Sequence, residues 1–153
     1  MKILVIAAHP DDEVLGCGGT IARYAARNDR VDVLIVTRGS PELYSEDQVK
    51  QLRKELEVAH AILGISAVHF LDFPAPRLDL IPAHEVADSI GAHINSIRPD
   101  VVFIPHRGDL HTDHRCVFGA ALVAARPVND HKVRRLLSYE VLSETEWAPP
   151  SAE

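Results

Sequence analysis

The chain has 153 residues, 46% of them apolar, and carries 16 basic against 22 acidic side chains for a net charge of −6. That length suits a single domain with a buried core. The acidic balance and the lack of a basic tract argue against a nucleic-acid partner. No segment reaches the roughly 20 apolar residues of a membrane span. The apolar run after Lys2 is too short for a signal peptide and runs into charges. Cys17 and Cys116 lack CxxC spacing and read as small buried residues of a cytoplasmic chain rather than as ligands or disulfide partners.

The first apolar run, residues 3–7, is continuous and rich in β-branched side chains, as expected of a buried parallel strand. Ala8-His9-Pro10-Asp11-Asp12-Glu13 follows at its carboxyl end, where open α/β sheets bind ligands. Crowded acids resist joint ionisation, and a divalent cation removes that cost. His9 and Asp12, three apart across a proline turn, can face one ion. Asp11 between them is left free to take a proton from water. A mixed nitrogen and oxygen donor set suits zinc, with iron or cobalt as alternatives. The competing reading is an acidic turn whose aspartate caps the next helix. Glu13 fits either a second-sphere role or a cap.

A helix is expected over 16–27, with Gly18 and Gly19 packing close to the sheet. Gly16-Cys17-Gly18-Gly19 lacks the spacing of a dinucleotide fingerprint, and the acids before it would repel a phosphate. Residues 31–37 form the second strand, and Arg38 at its end can reach an anionic or hydroxylated part of a substrate. Residues 40–46 are a polar loop suited to a rim or lid. Val49, Leu52, Leu56, Ala59 and Leu63 recur at helical spacing over 46–63, and Gly64 ends that helix. His60 and Arg53 read as surface charges on it. A short strand at 68–71 leads into an extended stretch at 72–77, with Asp72 a candidate pocket residue and a candidate turn former. His84 and His93 fall on the surface of a helix at 82–97.

Val101-Val102-Phe103-Ile104 is the fourth strand. Its carboxyl end opens onto Asp109-Leu110-His111-Thr112-Asp113-His114, two histidines and two more acids in six residues, and then a helix at 113–125. Two such clusters, each at a strand end, favour a catalytic metal site over capping turns. Residues 136–142 are the fifth strand. Strand and helix alternate throughout, which gives an α/β fold: a Rossmann-like three-layer sandwich with a mostly parallel sheet of about five strands.

The Ala-His-Pro-Asp-Asp-Glu start and the His111-Thr112-Asp113-His114 motif resemble the N-acetylglucosaminyl-phosphatidylinositol de-N-acetylase family, also called PIG-L or LmbE-like. Arg38-Gly39, Glu55, Ala59, Leu63-Gly64 and the stretch 138–147 add weaker similarity across nearly the whole chain. The resemblance implies a zinc-dependent hydrolase that removes the N-acetyl group from an N-acetylglucosamine-containing small molecule or glycoconjugate. By motif matching, His9, Asp12 and His114 hold Zn2+ and Asp11 is the general base. His111 stabilises the oxyanion when protonated, and Asp113 orients it. A homo-oligomer is also implied. Relatives usually continue beyond Trp147, so residues 1–147 read as one such domain cut short and 148–153 as a loose tail. Three further readings stay open: a phosphate-ester hydrolase, a nucleotide-binding oxidoreductase, and a non-catalytic paralogue that binds metal or a partner.

Overall fold

In the computed structural model, residues 1–128, 131–142 and 144–149 are described. Most of the expected 148–153 tail lies outside them. The strands are β1 (Lys2–Ala7), β2 (Arg30–Gly39), β3 (Ala67–Ala75), β4 (Val101–Pro105) and β5 (Arg135–Tyr139). The helices are α1 (Asp12–Ala25), α2 (Glu46–Leu63), α3 (Ala83–Ile97) and α4 (Thr112–Ala124). The strands form one sheet in the order β3-β2-β1-β4-β5, and every pairing is parallel. The expected α/β class and strand number are therefore met.

Alternation along the strands splits the core into two layers. Ile3, Val5, Ala7, Val33 and Ile35 pack with Cys17 and Ile21 of α1 and with Leu63 of α2. Leu4, Ile6, Leu34 and Val36 pack with Ile90 and Ile94 of α3 and with Val117 and Ala121 of α4. The strand order reverses beside β1: the chain winds one way through β2 and β3, then crosses to β4. Ligands in such sheets bind at the carboxyl ends of the strands flanking that switch point. Those strands are β1 and β4, the two that end in the His/Asp clusters.

Three boundaries differ from expectation. Helix α1 starts at Asp12, not at residue 16, because carboxylates are favoured against the partial positive charge of a helix N-terminus. The glycine that matters there is Gly16. A Cβ on it would run into the Tyr139 ring and the Glu140 carbonyl, whereas Gly19 has nothing within 4 Å and Gly18 only the tips of Leu63. Strand β3 runs to Ala75, through Pro74, which an edge strand tolerates because one side of its backbone is unpaired. Strand β5 stops at Tyr139. The chain then turns so that the Glu144 and Thr145 amides donate to the Val141 carbonyl, at 3.0 and 2.8 Å.

The apolar stripe of α2 is only half a core stripe. Leu56 and His60 are its buried positions, while Leu52 is 36% exposed. His60 is thus not a surface histidine. It is 4% exposed and lies 2.6 Å, through Nε2, from Glu13 Oε1. It follows Leu56 by one helical turn, on the face turned to α1. Among the described residues, no helix is long and apolar enough to cross a membrane.

Candidate metal centre

The first cluster is fixed by the end of β1. The Ala8 carbonyl accepts from both the Thr37 amide, at 3.0 Å, and the Thr37 hydroxyl, at 2.7 Å. The chain then turns sharply, with Asp11 at φ 131°, a region L-residues rarely adopt. The Asp11 carbonyl accepts from the Val14 and Leu15 amides at 2.9 Å each, but its side chain makes no capping hydrogen bond. Its carboxylate is therefore not spent on the helix. Glu13 Oε2 accepts from the Asp11 amide at 3.3 Å, so Glu13 links the strained turn to His60 on α2. Strain of this kind persists where surroundings over-determine it, and it concentrates at functional sites.

Asp12 is buried and accepts from the His9 amide at 2.7 Å. The same oxygen, Oδ2, lies 3.7 Å from His9 Nδ1 and 3.3 Å from His114 Nε2. His9 Nδ1 and His114 Nε2 are 3.1 Å apart. Three donors on one tetrahedral cation, with bonds of roughly 2.0–2.2 Å, sit about 3.3–3.5 Å from one another. The His9, Asp12 and His114 donors therefore fit one small divalent metal as they stand. His111 joins the same group, since one ring nitrogen each of His9, His111 and His114 lies within 4.8 Å of the others.

Each histidine is held from behind. His9 Nε2 meets Asp113 Oδ2 at 3.0 Å, and Asp113 Oδ1 accepts from the Leu78 amide at 3.0 Å. His114 Nδ1 approaches Asp109 Oδ2 to 2.9 Å, in a line too bent for a hydrogen bond. Asp109 is anchored in turn by the Thr145 hydroxyl at 2.7 Å and the His111 amide at 2.9 Å. Carboxylates behind histidine ligands are the common second sphere of metal sites. The Asp113 carboxylate thus serves His9. What Asp113 gives His111 is its backbone N–H, which donates to His111 Nδ1 at 3.1 Å. That fixes the His111 tautomer, because an accepting Nδ1 leaves Nε2 to carry the proton.

The protonation balance follows the same contacts. Burial opposes charging of His114, but Asp12 and Asp109 outweigh it and hold its pKa at about 9. A proton there answers the negative field that a cation would answer. Burial and neighbouring His9 push the His111 pKa down, which favours the neutral ring. Asp11 is exposed at the cavity lining but partly desolvated by its neighbours. That desolvation, with Asp12 and Glu13 nearby, raises its pKa to about 6. Asp109 and Asp113 are buried, which opposes ionisation, but their hydrogen bonds keep both carboxyls below the usual range.

These groups open into a cavity of about 450 Å³ lined by His9, Asp11, Asp12, His111 and His114 on one side. Thr37 and Gly39 line it too, whereas Arg38 between them is exposed and does not. Asp72 is half-exposed and pairs with Arg53 at 3.0 Å, away from the cavity lining. The structure therefore gathers His9, Asp11, Asp12, His111, Asp113 and His114, and leaves Arg38 and Asp72 outside. Sequence reasoning gave no role to Asp109, Thr145, His60 or Glu144, the last of which lines the cavity. Asp109 was visible in its cluster. Thr145 lies 36 positions further along and carries no local signal.

Residues 4–125 match the family model described as GlcNAc-PI de-N-acetylase, PIG-L. The uncharacterized deacetylase YaiS of Escherichia coli (strain K12) is 32% identical over 92% of this chain and 74% of its own length. The 1D-myo-inositol 2-acetamido-2-deoxy-alpha-D-glucopyranoside deacetylase of Mycobacterium sp. (strain KMS) is 36% identical over 74% of this chain. Only 46% of that relative is covered, so this chain spans about half its length. The crystal structure of the conserved protein TT1542 from Thermus thermophilus superposes with a TM-score of 0.80 at 31% identity. It covers 98% of this chain and 68% of that one. With its two motifs at the matched strand ends, the chain belongs to the PIG-L, or GlcNAc-PI de-N-acetylase, family.

Proposed function

We propose that the protein is a zinc-dependent hydrolase that removes the acetyl group from an N-acetylglucosamine-containing substrate. One observation carries this: three donors spaced for one cation share a cavity with an uncommitted carboxylate and a neutral N–H donor. Family membership and the relatives' names support the substrate class. Zinc held by His9, Asp12 and His114 would supply a Lewis acid that polarises the acetamide carbonyl and acidifies water.

The chain's own residues do the rest. Asp11 takes the proton of the attacking water, which its side chain can do because no cap hydrogen bond engages it. His111 donates Nε2–H to the carbonyl oxygen as negative charge builds there. This works from the neutral ring, and the Asp113 amide holds the ring in that tautomer. Asp11 then returns the proton to the departing amine. Asp109, Asp113 and Thr145 keep the two ligand rings aimed.

Amine release from a panel of N-acetylated glucosamine derivatives tests the reading, with zinc-loaded protein and again after chelation. Release that stops on chelation and returns with zinc is expected. A protein that binds one zinc per chain and releases no amine from any member would remove the deacetylase reading and leave a binding protein.

A further inference from the structure

The cavity has two unlike walls. Besides the His/Asp cluster it is lined by Leu43 and Tyr44, from the loop after β2, and by Val49 and Leu52, from the first turns of α2. Leu43 is 57% exposed, Tyr44 49% and Leu52 36%. Val49 and Leu52 belong to the periodic stripe that reads in the sequence as core, yet here they face open space. The wall is also built rather than draped. Tyr44 rests on Gly39, where an added Cβ would come within 2.7 Å of its ring. Ser45 and Gln48 exchange the two hydrogen bonds of a capping box and fix the start of α2 beside it.

The second observation is charge. Among the described residues, no lysine or arginine lines the cavity, whereas Asp11, Asp12 and Glu144 do. Arg77, next to cavity residue Pro76, is paired with Glu42, and Arg53 is paired with Asp72. A phosphate or carboxylate on the part of the substrate remote from the acetamide would meet carbon and carboxylates. Recognition of such groups normally uses arginine or lysine, and the α2 N-terminus bordering this wall already has the Gln48 amide engaged by its own Ser45 cap.

Resting on the deacetylase reading, we infer that the substrate is an uncharged glycoside of N-acetylglucosamine with an apolar aglycone. The acetamide faces Asp11 and His111, and the aglycone lies along Leu43, Tyr44, Val49 and Leu52. Exposed apolar surface of this kind marks a binding face, and its contiguity with the candidate centre makes the substrate its occupant.

Calorimetric titration of the zinc-loaded protein separates the possibilities. The probes are free N-acetylglucosamine, its octyl β-glycoside below the micellar concentration, and UDP-N-acetylglucosamine. The octyl glycoside should bind at least tenfold more tightly than the free sugar, and the nucleotide sugar no better than the free sugar. Leu52→Ser should reduce that advantage to threefold or less. Equal affinity for sugar and octyl glycoside, tightest binding of the nucleotide sugar, or an advantage untouched in Leu52→Ser would each overturn the inference. Turnover is read separately: tight octyl-glycoside binding with no amine release would uphold the apolar wall while removing the deacetylase reading.

Discussion

Asp11 and His111 differ in what holds them, and that difference predicts separable variants. Asp11 contributes its backbone to α1 and, among the described residues, its carboxylate to no structural hydrogen bond. Asp11→Asn should therefore keep the fold and the bound zinc, measured as metal per chain, while kcat falls by roughly 10²–10⁴, the usual worth of a positioned acid–base group. Near wild-type turnover in that variant would end its assignment as the base. His111 Nδ1 is occupied by the Asp113 amide, and its ring lies in the same cluster as the two ligand histidines. His111→Ala should retain zinc and lose about 10²–10³ in kcat, as expected on deleting one oxyanion donor. If His111→Ala instead loses its metal, the third ligand is His111 and the compact set of His9, Asp12 and His114 is wrong.

Helices α1 and α2 are tied by a polar bond inside an apolar layer. Glu13 and His60 meet at 2.6 Å with both side chains buried. Removing one partner of such a pair leaves the other desolvated, at a cost of about 3–5 kcal/mol. His60→Leu should accordingly lower the melting temperature by roughly 6–20 °C for a domain of this size. Glu13→Leu combined with His60→Leu should recover part of that loss, because no buried carboxylate is stranded. The double variant should still lose turnover relative to His60→Leu, since the Asp11 amide has lost its Glu13 acceptor. A double variant no more stable than the single one would mean the pair is not what joins the helices. This tie was illegible in the sequence. His60 sits on a helix with charged neighbours, and its burial depends on the 47-residue separation that brings it to Glu13. The same helix misleads in the other direction, since Val49 and Leu52 keep the period of a core stripe but line a cavity. Period reports which residues share a face, not what that face meets. The strands were clearer, because short continuous apolar runs such as 3–7 and 101–104 suit a strand buried on both faces of a parallel sheet. That Asp11, Asp12, His111 and His114 would come together at one cavity was readable for a different reason: both charged clusters directly follow strands whose carboxyl ends face the same side of the sheet.

On the proposed function, one ion joins two halves of the sheet. His9 and Asp12 follow β1, and His114 follows β4 across the switch point, more than 100 positions later. Their backing groups reach further: Asp113 to the Leu78 amide beyond β3, and Asp109 to Thr145 beyond β5. A cation at the centre thus links segments that follow four of the five strands, and it binds the folded chain far better than the unfolded one. At a free zinc concentration about 100 times Kd the linkage is worth about 2.7 kcal/mol. With about 2–4 °C per kcal/mol for a domain of this size, chelation should lower the melting temperature by roughly 5–11 °C. Readdition of zinc should restore it. Asp12→Ala, which removes the one carboxylate among the three donors, should melt at the same temperature with zinc and with chelator. If that variant responds to chelation as the native protein does, the stabilising metal sits elsewhere and the His9, Asp12 and His114 centre is not what the ion holds together.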